Sequence, residues 1–201
     1  MFWDRVAWAY DLFAEGINRK ADRALCAAVE RLMAPSDAVL ECACGTGLLT
    51  VVMAPRCRSL VATDFSERML RRAEKKCSRY GNVHFEQADI LHLPYPAASF
   101  DAVVACNVLL YLENRAEVLT RIHELLRPKG VFLSATDCLG ERLTREGVRK
   151  WWRSHTGKMP YVSFDRMHTL EASIAAAGFE VLETENLFPA PPNLFVAARK
   201  K

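Results

Sequence analysis

The chain has 201 residues, 51% of them hydrophobic and 25% charged, the balance of an ordinary globular protein with room for one well-cored domain. Its 27 basic and 24 acidic residues leave a net charge of +3, too small a bias to make a nucleic-acid backbone or an anionic membrane the main partner. No stretch approaches the roughly 18 uninterrupted apolar residues of a membrane span, and Met1-Phe2-Trp3-Asp4-Arg5 does not open a secretory signal, so a cytoplasmic protein is expected.

Short β-branched runs alternate with segments of helical period, the pattern of a parallel sheet with crossover helices. A first helix is predicted over about 2–14 and a second over about 17–33, where Ala21, Leu25, Ala28, Val29 and Leu32 recur near helical spacing until Pro35. Strand one is 38–41, followed by a glycine turn and a helix from about Leu48. Strand two, 59–63, ends at Asp64, and Ser66 can cap the next helix, whose inward face is Met69, Ala73 and Cys77. Strand three covers 83–87 and strand four 102–105. Asn114 and Glu117 resemble a capping box opening a helix to Leu126, which 127–130 stops. Strand five is 131–134. After a mixed stretch, 138–167, a helix from Leu170 to Ala177 closes on Gly178, and strands at 179–184 and 194–198 form an antiparallel pair. The expected fold is α/β: a Rossmann-like open sheet of about seven strands, mostly parallel with one antiparallel terminal strand, and helices on both faces.

In such a sheet ligands bind beyond the carboxyl ends of the strands. Glu41-Cys42-Ala43-Cys44-Gly45-Thr46-Gly47 turns the chain from strand one into a helix, and Gly45 and Gly47 remove side chains where backbone must turn tightly beside a ligand. Thr50 stands where the dinucleotide fingerprint needs a third glycine, and Glu41 would repel a pyrophosphate but could pair with an ammonium. Asp64 can accept both hydroxyls of a ribose. Asp89 could accept from an adenine amino group, with Phe65 and Ile90 on either side of the ring. A ligand with ammonium, carboxylate, ribose and adenine meets these groups one by one, and S-adenosylmethionine has all four. A nicotinamide-dependent oxidoreductase is the nearest rival enzyme.

These segments resemble the class I S-adenosylmethionine-dependent methyltransferases, and within them the ubiquinone/menaquinone-type group. Val39–Gly47 resembles the first motif and Val61–Leu70 the second. Segments 88–96 and 99–109 resemble the third and fourth, and 125–133 and 176–181 the later landmarks. The resemblance implies that Glu41, Ala43, Gly45 and Gly47 contact the methionine end, Asp64 the ribose, and Asp89 and Ile90 the adenine, with Thr46 and Met69 also among the cofactor-binding residues. Cys106 and Asn107 would line the sulfonium side, and Tyr10, in Trp8-Ala9-Tyr10-Asp11, would help cover the cofactor. The family often has glycine where Ala43 stands.

The implied activity is in-line transfer of a methyl group to a small-molecule acceptor. The alternative is a non-catalytic S-adenosylmethionine-binding regulatory or partner subunit. Tyr111, His155 and His168 are the candidates for a catalytic base, while His123 reads as structural. Residues 1–34 are expected to cover cofactor and substrate, and 138–168 to form an acceptor-site insertion. Trp3, Trp8, Trp151, Trp152 and Tyr161 would then make an apolar lid. The seven cysteines read as buried thiols, with no metal site expected, and the chain as a monomer or homodimer.

Overall fold

The computed structural model describes residues 2–8 and 19–201. Helix α1 (2–8) and helix α2 (Arg19–Arg31) precede a seven-stranded sheet. Its strands are β1 (Ala38–Cys42), β2 (Ser59–Asp64), β3 (Val83–Gln87), β4 (Phe100–Cys106), β5 (Leu126–Asp137), β6 (Phe179–Pro189) and β7 (Pro192–Lys200). The order across the sheet is β3-β2-β1-β4-β5-β7-β6. Strands β1 to β5 pair in parallel, and β7 runs antiparallel to both β5 and β6. The antiparallel strand foreseen from the sequence is therefore β7, and it lies inside the sheet with β6 outside it.

Central strands read as continuous apolar runs because helices cover both faces. All five residues of β1 are buried, whereas the edge strand β6 alternates between burial and exposure. On one face α3 (Leu48–Met53) lies between α2 and α4 (Glu67–Cys77), with Leu25, Val29 and Met53 packing on Val39, Leu133 and Phe195. On the other, Leu119 and Ile122 of α5 (Arg115–Leu125) and Leu170 and Ile174 of α7 (Met167–Ala176) close on Phe132 and Phe179.

Local signals set most boundaries. Ser66 Oγ accepts from the Met69 amide at 3.3 Å and starts α4. Gly178, at φ 95°, ends α7 in the left-handed region that glycine occupies without strain. Helix α5 starts after Asn114 as expected, but without the side-chain half of a capping box: the Asn114 carbonyl accepts from the amides of Glu117 and Val118 instead. Residues 127–130 do stop the helix, and they belong to β5, which pairs with β4 across a register shift between Phe100 and Ala102.

The stretch 138–167 contains a helix absent from the sequence reading, α6 (Arg145–His155), whose Thr144 hydroxyl accepts from the Gly147 amide at 3.0 Å. One contact closes this stretch on itself and another ties it to α5. The Gly140 amide donates to the Asp165 carbonyl at 2.9 Å, and the largely buried Arg115 holds the Asp165 carboxylate through both guanidinium nitrogens.

Candidate active site

A cavity of about 380 Å³ opens at the carboxyl ends of β1 to β4, within the range that holds a small ligand. Glu41, Ala43, Gly45, Thr46, Asp64, Phe65, Met69, Asp89, Ile90, Cys106, Asn107 and Tyr111 all border it. Tyr10 lies outside the described residues.

Glu41 is the most constrained of these groups. Strand β1 buries it to 3% exposure, and among the described residues no cation meets it. Its carboxyl's one hydrogen-bond partner among the described residues is the Thr50 hydroxyl, which donates to Oε2 at 2.6 Å. Burial pushes its pKa up to about 8, and nearby Asp64 adds to the rise. A carboxyl in that state is short of a positive partner, and a ligand ammonium would supply one.

Asp64 ends β2 with both oxygens already engaged: Oδ2 accepts from the Gly45 amide at 2.9 Å and Oδ1 from the Ser66 amide at 2.8 Å. These bonds fix the carboxylate's plane, and each oxygen keeps a lone pair for a hydroxyl. Burial raises its pKa, and the backbone amides of Ser66, Gly45 and Phe65 counter that rise. Asp89 caps the short turn after β3, accepting from the Leu91 amide at 3.0 Å. Phe65, half exposed, and Ile90 stand beside these two acids on the cavity wall.

The loop between β1 and α3 winds through left-handed backbone at Ala43 (φ 57°), Gly45 (φ 56°) and Gly47 (φ 83°). A Cβ on Gly45 would meet nothing within 4 Å, so its bare backbone faces open space. Gly47 is different. It does not border the cavity, and a Cβ there would lie 3.0 Å from the Cβ of Ala73 in α4. Its place is explained by the close approach of two helices.

The base candidates separate by position. Tyr111 borders the cavity, its phenol pKa raised by burial, so that near neutral pH it is a hydrogen-bond donor. His155 is exposed on α6, bonded to the Trp151 carbonyl, and His168 is exposed beside Thr169; neither ring borders the cavity. His123 packs edge-on against Phe179. Of the five aromatic residues expected to form a lid, Trp3 borders the cavity, edge-on to Tyr111 at 5.0 Å, while Trp8, Trp151, Trp152 and Tyr161 are exposed. All seven cysteines are free, and burial raises the thiol pKa of Cys106.

One cavity acid was missed in the sequence. Asp22, on α2, borders the cavity with no hydrogen-bond or ion-pair partner among the described residues, and burial lifts its pKa to about 6. The signal was there: an acid lies on the face that also carries Leu25 and Val29, interrupting an apolar stripe.

Residues 39–130 match the family model described as a methyltransferase domain. A Mycolicibacterium smegmatis protein named "Probable S-adenosylmethionine-dependent methyltransferase" is 31% identical over 157 residues, covering 75% of this chain and 54% of that one. A demethylmenaquinone methyltransferase of Deinococcus radiodurans is 32% identical over 130 residues, 62% of this chain and 54% of that one. The chain thus spans about half the length of these relatives. Among solved structures, the N-methyltransferase NodS of Bradyrhizobium japonicum, in complex with S-adenosyl-L-homocysteine, superposes with a TM-score of 0.76 at 20% identity. The match covers 98% of this chain and 96% of that one and shows the shared fold.

Proposed function

Since this chain belongs to the class I S-adenosylmethionine-dependent methyltransferase family, we propose that it transfers the methyl group of S-adenosylmethionine to a small-molecule acceptor. The observation that carries the reading is the set of three acids at successive strand ends, Glu41, Asp64 and Asp89, around one cavity. Glu41 is buried there without a cationic partner among the described residues. The donor set fits the cofactor: Glu41 would pair with the ammonium, Asp64 would accept the ribose hydroxyls, and Asp89 with Phe65 and Ile90 would hold the adenine.

When bound, the cofactor supplies a sulfonium methyl whose carbon bonds to the acceptor's lone pair as the carbon–sulfur pair returns to sulfur. The protein's part is to hold three atoms in line and to keep water out. The cavity wall around the half-buried Cys106 and Tyr111 would serve the second. An acceptor that carries a proton must lose it, and Asp22, a cavity-wall carboxylate without a partner among the described residues, can take it. Asp22→Asn is expected to slow turnover at least tenfold while leaving S-adenosylhomocysteine affinity within threefold. A loss of that affinity instead would place Asp22 among the cofactor's own contacts.

The test of the main reading is thermal unfolding with S-adenosylhomocysteine and, in parallel, with NAD. At 100 times its dissociation constant a ligand adds about 2.7 kcal/mol, a rise of roughly 5–10 °C for a domain of this size. A shift with NAD alone would overturn the proposal. Asp64→Ala should weaken S-adenosylhomocysteine at least tenfold with the melting temperature nearly unchanged; an unaltered dissociation constant would refute the ribose role.

A further inference from the structure

A second cavity, of about 170 Å³, lies behind the first between α1 and α6. The two share the Trp3–Tyr111 pair, whose rings meet edge-on at 5.0 Å and form the partition between them. One wall is apolar, from Phe2, Val6 and Met159 as well as the shared aromatic pair. The other is made of charged side chains of α6, and their pairing is unequal.

Arg149 is bound to Glu146 at 2.6 Å, both on that wall. Lys150 is bound to Asp137 at 2.7 Å, and Asp137 also accepts from Asn193, which donates to Asn107 of the first cavity at 3.1 Å. Each of these cations has its own carboxylate. Arg153 has none: it lines the cavity, half-buried, and among the described residues its side chain has no hydrogen-bond or ion-pair partner. The pocket therefore joins an aromatic wall to one uncompensated positive charge, in a space less than half that of the first cavity.

Resting on the cofactor reading above, we infer that this second cavity is the acceptor subsite, and that it takes a small, flat, apolar acceptor bearing one anionic group held by Arg153. The ring would stack within the pocket of Phe2, Trp3 and Met159, and the acceptor's reactive atom would pass the Trp3–Tyr111 partition toward the first cavity. A guanidinium matches a carboxylate or a phosphate through paired N–H donors. One unpaired charge balances a carboxylate better than a dianionic phosphate. The neutral Tyr111 phenol, facing both cavities, can donate to the acceptor where it crosses.

The experiment titrates 4-hydroxybenzoate, phenyl phosphate and the neutral 4-hydroxybenzamide into the full chain, with and without saturating S-adenosylhomocysteine, following the Trp3 indole by NMR. The benzoate should bind at least tenfold more tightly than the amide and more tightly than the phosphate. Arg153→Leu should erase the preference for acid over amide, leaving S-adenosylhomocysteine affinity and melting temperature as in the parent, and Arg153→Lys should restore part of it. Binding of the amide as tight as the acid, no Trp3 shift with any probe, or a preference that survives Arg153→Leu would overturn the proposal. A phosphate preference would overturn the carboxylate assignment. Arg153-dependent acid binding in a protein that fails to bind S-adenosylhomocysteine would refute the cofactor reading and leave an anion pocket without an acceptor role.

Discussion

Glu41→Gln should weaken S-adenosylhomocysteine binding about a hundredfold at neutral pH, the scale of removing one charge from a buried, hydrogen-bonded ion pair. The substitution keeps the shape of the side chain and an acceptor for the Thr50 hydroxyl, so the loss isolates charge. The proton accompanies it. With a pKa of about 8, Glu41 is mostly protonated at pH 7 in the free protein, and pairing with a cation ionises it. Binding should therefore release nearly one proton at pH 7, and affinity should climb about tenfold per pH unit between pH 6 and 7.5. Calorimetry in two buffers of different ionisation enthalpy measures that proton directly. Its persistence in Glu41→Gln would assign the release to another group.

The same ionisation governs the free protein's stability. The folded pKa of Glu41, about 8, stands above its ordinary value of 4.5, so its contribution is fully present below about pH 4.5 and is lost as pH rises to 8. The slope is about 1.4 kcal/mol per pH unit for one proton. Glu41→Gln should flatten that part of the unfolding profile, making the variant's stability less sensitive to alkali than the parent's. A binding defect with an unchanged profile would mean that Glu41 is ionised before any ligand arrives.

Gly140→Ala is expected to cost about 3 kcal/mol, a fall of roughly 6–12 °C in melting temperature. The added Cβ would overlap the Phe164 carbonyl oxygen and sit 2.8 Å from its carbon. Both are backbone atoms, so no rotamer change relieves the overlap. Moving Phe164 away would lengthen the Gly140–Asp165 hydrogen bond and disturb the buried Arg115–Asp165 pair, which holds the same segment to α5. A melting temperature within about 1 °C of the parent would show that the two strands of this crossing separate freely.

The residues that were legible in the sequence are those whose position follows from the sheet alone. Parallel strands carry their ends to one side, so Glu41, Asp64 and Asp89 had to face a common space once the strands were placed. Ser66 and Gly178 announced helix ends by chemistry that acts over three or four residues. What was not legible depends on distant packing. Helix α6 was hidden because Val148, Trp151 and Trp152 are all substantially exposed and only Gly147 is buried, leaving no apolar stripe to read. Gly47 looked like a ligand glycine, and the neighbour that requires it, Ala73, is 26 residues away on another helix. Asp22 needed the face of α2 to be known, and the second cavity needed α1 and α6 to be brought together.

Strand β7 also ties the two faces of the core to each other. Within the sheet β6 pairs only with β7, so residues 192–200 are its one strand-to-strand link to β5. Without β7, β5 would present a bare hydrogen-bonding edge, and Phe195 and Val196, buried in opposite faces of the core, would be missing from both. The same short stretch of chain therefore seals the cores on both sides of the sheet, and through Asn193 it also holds Asn107 at the first cavity.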